Sequence, residues 1–131
     1  MLVERVITTV LSLLFTVPCL AASKLNLALP KTAGLASFYG RREQGKRTAN
    51  GERFDRMKYT AASRTYPMGT LLNVYYPRTH VTVTVRVNDA GPWVKGRILD
   101  LSERAATVLG LKGQGVGYVE ISPVHLAQES L

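Results

Sequence analysis

Val85-Arg86-Val87-Asn88-Asp89-Ala90-Gly91-Pro92-Trp93-Val94-Lys95-Gly96-Arg97-Ile98-Leu99-Asp100-Leu101-Ser102 is the stretch on which the reading of this chain turns. Its first limb completes a run that starts at Val81, with valine at every odd position to Val87 and a polar residue at each even one. A period of two sends alternate side chains to opposite faces, so residues 81–87 read as a half-buried strand. Ala90-Gly91-Pro92 turns the chain, Arg97-Ile98-Leu99 runs back, and Ser102 opens a helix. Each limb delivers a carboxylate where its extended run stops: Asp89 after the first and Asp100 after the second. Acids at strand ends sit at the mouth of a sheet or barrel, where a rigid scaffold aims them at a ligand. The same two residues also suit structural work, one as a turn cap and the other as an acid near a helix N-terminus.

Working outward, Ser102 to Leu109 is the one helix. Ser102 is its N-cap, Glu103 favours the positive end of the dipole, and Gly110 stops it. Leu101, Ala105, Val108 and Leu109 are its expected buried face. Gly117 to Ser122 reads as a last strand. On the other side, Pro77-Arg78-Thr79-His80 forms a hairpin turn after a strand over Thr70–Tyr76, whose β-branched and aromatic content favours a sheet. Tyr59-Thr60-Ala61-Ala62 is extended, and Arg41–Arg53 is polar with turn signals at Gly45 and Asn50-Gly51. Ala36–Tyr39 is a short strand closed by Gly40. Strands dominate, so the class is mainly β, and about six short strands in this length predict a small closed barrel with one short helix.

The chain has 131 residues, room for one domain with a modest core. Residues 1–21 have the layout of a secretory signal, with Glu4-Arg5, an apolar run from Val6 to Val17, and small residues Cys19 and Ala21 at the positions read for cleavage after Ala21. The apolar run is too short for a membrane span, so an exported protein without a stable membrane anchor is expected. Residues 22–32 read as a flexible leader, 33–122 as the folded domain and 123–131 as a C-terminal tail. Cys19 is the single cysteine and leaves with the signal, so neither disulfides nor cysteine-ligated metal sites hold the fold. The net charge of +8 survives cleavage, because Glu4 and Arg5 leave together. An exported basic domain is drawn to polyanions, and the same charge also serves solubility. The cations fall in short groups such as Arg41-Arg42 and Lys46-Arg47 rather than along a recognition helix, which argues against nucleic acid.

Thr48-Ala49-Asn50-Gly51-Glu52, Thr60-Ala61-Ala62-Ser63, Pro67-Met68-Gly69-Thr70, Val87-Asn88-Asp89-Ala90-Gly91-Pro92, Gly96–Ser102 and the helix end at Ala105–Gly110 resemble, in order and spacing, the rare lipoprotein A (RlpA-like) family. The resemblance covers Leu35 to Ile121. It implies a six-stranded double-psi β-barrel, related in fold to expansins, in a periplasmic or secreted protein that acts on peptidoglycan. Some members are lytic transglycosylases that cut the MurNAc–GlcNAc bond and leave a 1,6-anhydro end. Carried over by position, the catalytic candidates are Glu52, Asp89 and Asp100. This chain departs from the family at three places: Ser63 stands where active members carry histidine, Ala90 replaces an arginine, and Phe38 replaces a tryptophan.

Cleaving a glycosidic bond needs a protonated acid for the leaving oxygen and a way to manage oxocarbenium-like charge. Burial or a neighbouring carboxylate raises the pKa of such an acid. Lytic cleavage uses the sugar's own 6-hydroxyl as nucleophile, so one carboxyl cycling as acid and then base suffices. The sequence makes Asp89 the acid, with Asp100 tuning it and Glu52 completing the site; Ser63, Tyr39, Asn50 and Trp93 are the expected substrate contacts. His80 and His125 are isolated, so no metal and no cofactor are expected. The expected partner of this monomer is the peptidoglycan glycan strand. A non-catalytic, expansin-like wall-binding module is the other reading, favoured by Ser63 and Ala90.

Overall fold

The computed structural model describes residues 29–124. The signal segment, most of the leader, and the tail beyond Val124 with His125 lie outside the described residues. Six strands form along the chain: β1 Thr32–Phe38, β2 Thr60–Ser63, β3 Leu71–Tyr76, β4 Val81–Asp89, β5 Arg97–Leu101 and β6 Gly117–Pro123. One α-helix, α1, spans Glu103–Leu109, and a short 3₁₀ turn spans Arg41–Glu43. The strands close in the order β1-β5-β2-β4-β3-β6, with β6 returning to β1. Closure leaves no sheet edge unpaired among the described strands, which guards a small β domain against edge-to-edge association.

The alternation of 81–87 does what its period predicts: Val83, Val85 and Val87 are buried while Thr82 and Thr84 face solvent. β3 and β4 pair as an antiparallel hairpin from Tyr76↔Val81 to Leu71↔Arg86. The inward residues of all strands, with Leu109 and Leu111, make one core around Leu72, Val74, Leu99, Leu101, Val119 and Ile121. Burying each such side chain contributes about 1.5–3 kcal/mol, and no disulfide supplements that core among the described residues.

Three details depart from the expectations. β1 starts at Thr32 rather than Ala36, because Thr32–Ala36 pairs with β6. The two limbs around Asp89 and Asp100 are not neighbours: β2 lies between them, parallel to β4 and antiparallel to β5. Val108 is 43% exposed, and Ala106 takes its place in the core. At about 100° per residue, a stripe centred on Ala105, Ala106 and Leu109 leaves Val108 at its margin. The helix ends are as expected: Ser102 Oγ accepts from the Ala105 N–H, and Gly110 adopts a left-handed φ of 75° that lets its N–H reach the Ala106 and Thr107 carbonyls.

Candidate active site

β5 sets Asp100 opposite Ser37 of β1 on one side and opposite Ala62 of β2 on the other. β4 sets Asp89 beside the same Ala62 from the far side. Four adjacent strands therefore line up Ser37, Asp100, Ala62 and Asp89 in one row, with only the methyl group of Ala62 between the two acids. The pairing slips at Ala61/Ala62 and at Leu35/Ala36, both next to this row. Such bulges re-aim side chains and recur beside active sites.

The two acids are held in unlike ways. Asp89 Oδ1 accepts from the N–H groups of Ala49 (2.9 Å) and Ala90 (2.9 Å), and Oδ2 accepts from the Tyr39 hydroxyl at 3.1 Å. Among the described residues Asp100 receives one side-chain hydrogen bond, from Ser37 Oγ to Oδ1 at 3.0 Å, and Oδ2 has no partner among them. Burial pushes the Asp100 carboxyl above the ordinary carboxylate range, against the lowering effects of Ser37 and Arg97, and the charges of Glu43 and Asp89 push the same way. Tyr39 stands beside Asp89 as its hydroxyl donor. Its burial and the charges of Asp89 and Asp100 push its phenol far upward, so it stays a neutral hydrogen-bond donor. Its ring is braced edge-on by Phe54 at 5.1 Å.

Glu52 has a different surrounding. Its carboxylate takes a two-pronged contact from Arg86 Nη1 and Nη2 at 2.6 and 2.7 Å and a third bond from Asn50 Nδ2 at 2.7 Å. These partners lower its pKa to about 2, so it carries charge and no proton at working pH. Asn50 Oδ1 accepts from Thr48 Oγ1 and the Glu52 N–H, and Gly51 turns the loop at φ 91°. Asn50 and Glu52 thus shape the 48–52 loop and fix it to β4, and that loop delivers the Ala49 N–H to Asp89.

Ser63, where the resemblance places a histidine, is 4% exposed, and its Oγ accepts from the Thr65 and Tyr66 N–H groups at 3.1 and 3.0 Å. It closes β2 rather than lining the row of acids. Trp93 stands in the β4–β5 connection at 77% exposure, with the Arg64 guanidinium 5.9 Å from its ring centroid. The sequence reading missed Ser37, Glu43, Arg64 and the Arg86 partner of Glu52. Only Ser37 had a signal, as the polar strand residue next to Phe38, where the resemblance places a tryptophan. Among the described residues, no group of three or more His, Cys, Asp or Glu is placed to hold a metal ion.

The family model described as lytic transglycolase, of the double-psi β-barrel type, matches residues 31–121. This chain belongs to the RlpA-like lytic transglycosylase family. It is 44% identical over 96 residues to the endolytic peptidoglycan transglycosylase RlpA of Pasteurella multocida, a match covering 73% of this chain and 33% of the relative. It is 48% identical over 92 residues to the probable endolytic peptidoglycan transglycosylase RlpA of Synechocystis sp., covering 70% and 29%. The RlpA-like chain thus spans about a third of the length of these relatives. Among solved structures, the Streptomyces papain inhibitor matches with TM-score 0.59 at 24% identity, covering 72% of this chain and 94% of that one. A point mutant of Clavibacter michiganensis expansin in complex with cellohexaose matches with TM-score 0.58 at 23% identity, covering 72% and 50%. At these identities the likeness concerns the fold, a double-psi β-barrel shared with expansins.

Proposed function

We propose that this chain is a lytic transglycosylase of the exported cell-wall compartment, cutting the MurNAc–GlcNAc bond of peptidoglycan with a 1,6-anhydro product. The observation that carries the reading is the unequal pair of carboxyls flanking Ala62. Asp100 is half-buried, is inclined to keep its proton, and has Oδ2 free to deliver it to the leaving glycosidic oxygen. Asp89 has its oxygens filled by three donors and faces the charge that develops at the anomeric carbon. As the bond breaks, the proton passes from Asp100 to the departing oxygen. The C6 hydroxyl then attacks the anomeric carbon and returns its proton to Asp100, so no water is consumed. In this reading Asp100 is the acid and Asp89 the stabiliser, an exchange of the roles expected from the sequence. Tyr39 orients Asp89, and Glu52 acts through the 48–52 loop.

A second reading, a wall-binding module that does not cut, is favoured by Ser63, whose buried hydroxyl gives the site no group that titrates near neutral pH. Digestion of peptide-free glycan strands with the full chain, read by mass spectrometry, separates the two. Release of anhydro ends is the expected result. Retention of the strands uncut, with binding intact, supports the module instead.

A further inference from the structure

β1 ends beside the acid row: Ser37 faces Asp100, Phe38 faces Leu101, and the Tyr39 N–H donates to the Leu101 carbonyl at 2.8 Å. The 3₁₀ turn Arg41–Glu43 therefore starts two residues past a contact that ties the chain to β5 directly after Asp100. The turn is fixed from behind, since Gln44 Oε1 accepts from the Arg56 N–H at 2.8 Å and the Gly45 N–H donates to the Phe54 carbonyl at 2.9 Å. Glu43 folds back over Gly40, with Oε2 3.8 Å from where a Cβ on that glycine would stand. This oxygen is buried and has no hydrogen-bond partner among the described residues. Arg41 and Arg42 are exposed in the same turn, yet the ion pairs of the described residues are Arg56–Glu103, Arg86–Glu52 and Lys112–Glu103. Glu43 is thus paired with no cation among them.

A buried acceptor without a donor costs stability, and each one that a native protein keeps calls for an explanation. The other two such atoms among the described residues, Thr60 Oγ1 and Asn88 Oδ1, belong to neutral groups; only that of Glu43 belongs to an acid. We propose that Glu43 is a positioning residue for the proton of Asp100: an unpaired carboxyl group, held against the Asp100 end of the row, that makes ionisation of Asp100 unfavourable. The inference rests on the reading of Asp100 as the acid and adds what keeps the acid loaded. Like charges forced to coexist drive one carboxyl towards its protonated form, and a buried charge is screened less than an exposed one. The groups facing Asp100 set the balance. Ser37 on β1 and Arg97 on β5 favour its ionised form, Asp89 on β4 opposes it, and Ala62 on β2 is neutral. Glu43 sides with Asp89 and with burial, and its charge also pushes the Tyr39 phenol upward, which places its influence at this end of the site.

Carboxyl titration of the full chain by NMR reads this effect without turnover. Glu43→Gln keeps the size of the side chain and removes its charge, so the Asp100 midpoint should move to lower pH. The Glu52 midpoint, set by Arg86 and Asn50, should stay where it is. Glu43→Leu should lower the Asp100 midpoint in the same direction and melt no earlier than wild type, because the orphaned oxygen is gone. A residue that only supported the fold would give the opposite pair of results: early melting and an unmoved Asp100. An unchanged Asp100 midpoint in Glu43→Gln, or a clear fall in melting temperature in both variants, would overturn the proposal. Anhydro-end release is followed against pH in parallel, and the alkaline limb of kcat/KM should move to lower pH in Glu43→Gln together with the Asp100 midpoint. Cleavage whose pH profile ignores the substitution removes the role of Glu43 and keeps the activity. A lowered Asp100 midpoint without cleavage by wild type keeps the coupling and removes the activity.

Discussion

Glu52 and Asp100 are both carboxyls at positions the family resemblance marks for catalysis, and the barrel treats them in opposite ways. Glu52 faces a guanidinium squarely and is held near pKa 2. Asp100 faces a hydroxyl, a methyl group and the barrel wall, and its pKa rises through burial. A carboxyl given a cation becomes a fixed anion that can pin a loop. A carboxyl given a neutral, half-dry surrounding holds its proton to higher pH than a free one does. The chemistry at each position is set by what the fold places opposite it.

Removing the proton donor should have the largest effect. Asp100→Asn is expected to lower the rate of anhydro-end release about 10²–10⁴-fold with thermal unfolding little changed, because a positioned acid contributes on that scale. Product counting by mass spectrometry together with a melting curve checks both parts. Loss of the folded state instead would make Asp100 a structural residue.

Glu52→Gln should act on stability and its pH dependence more than on chemistry. The folded pKa of Glu52 is depressed from 4.5 to about 2, so its stabilising effect is complete above 4.5 and is lost as pH falls through about 2. The variant should therefore melt below wild type at neutral pH, and the two curves should converge in acid across that window. Parallel curves with no convergence would separate Glu52 from the Arg86 pairing. The opposite sign applies to Asp100. Its raised pKa means that ionisation opposes folding as pH rises past the ordinary aspartate value, and kcat/KM should fall over the same rise as the donor loses its proton.

The smallest effect is expected at Ser63. Ser63→Ala removes the acceptor for the Thr65 and Tyr66 N–H groups and should cost about 0.5–2 kcal/mol, as loss of a capping hydroxyl does. Turnover should stay within about threefold, since a group that does not reach the substrate contributes little of the roughly 10²-fold or more that a positioned acid–base group supplies. A large drop in turnover at unchanged stability would place Ser63 in the reacting machinery.

Much of the scaffold could be read from local pattern. The valine alternation marked β4, Ser102 and Gly110 marked the helix ends, and the strand-end positions of Asp89 and Asp100 brought the two acids forward. What could not be read is long-range. β2 is four residues of small side chains with no period to betray that it inserts between β4 and β5. Arg86 lies on the polar face of an alternating strand, and nothing local shows that it meets Glu52. The Tyr39–Asp89 and Ser37–Asp100 bonds join residues far apart in sequence, so the different fates of the two aspartates follow from strand order.

Carboxyl titration followed by NMR with the side-chain resonances of Asp100 and Glu52 assigned tests the central contrast most directly. Asp100 should lose its proton above the ordinary aspartate value of 3.8 and Glu52 near 2, in the same sample. Asp100 titrating at or below 3.8 would contradict the account, because the site would then hold no carboxyl inclined to keep a proton for the leaving oxygen.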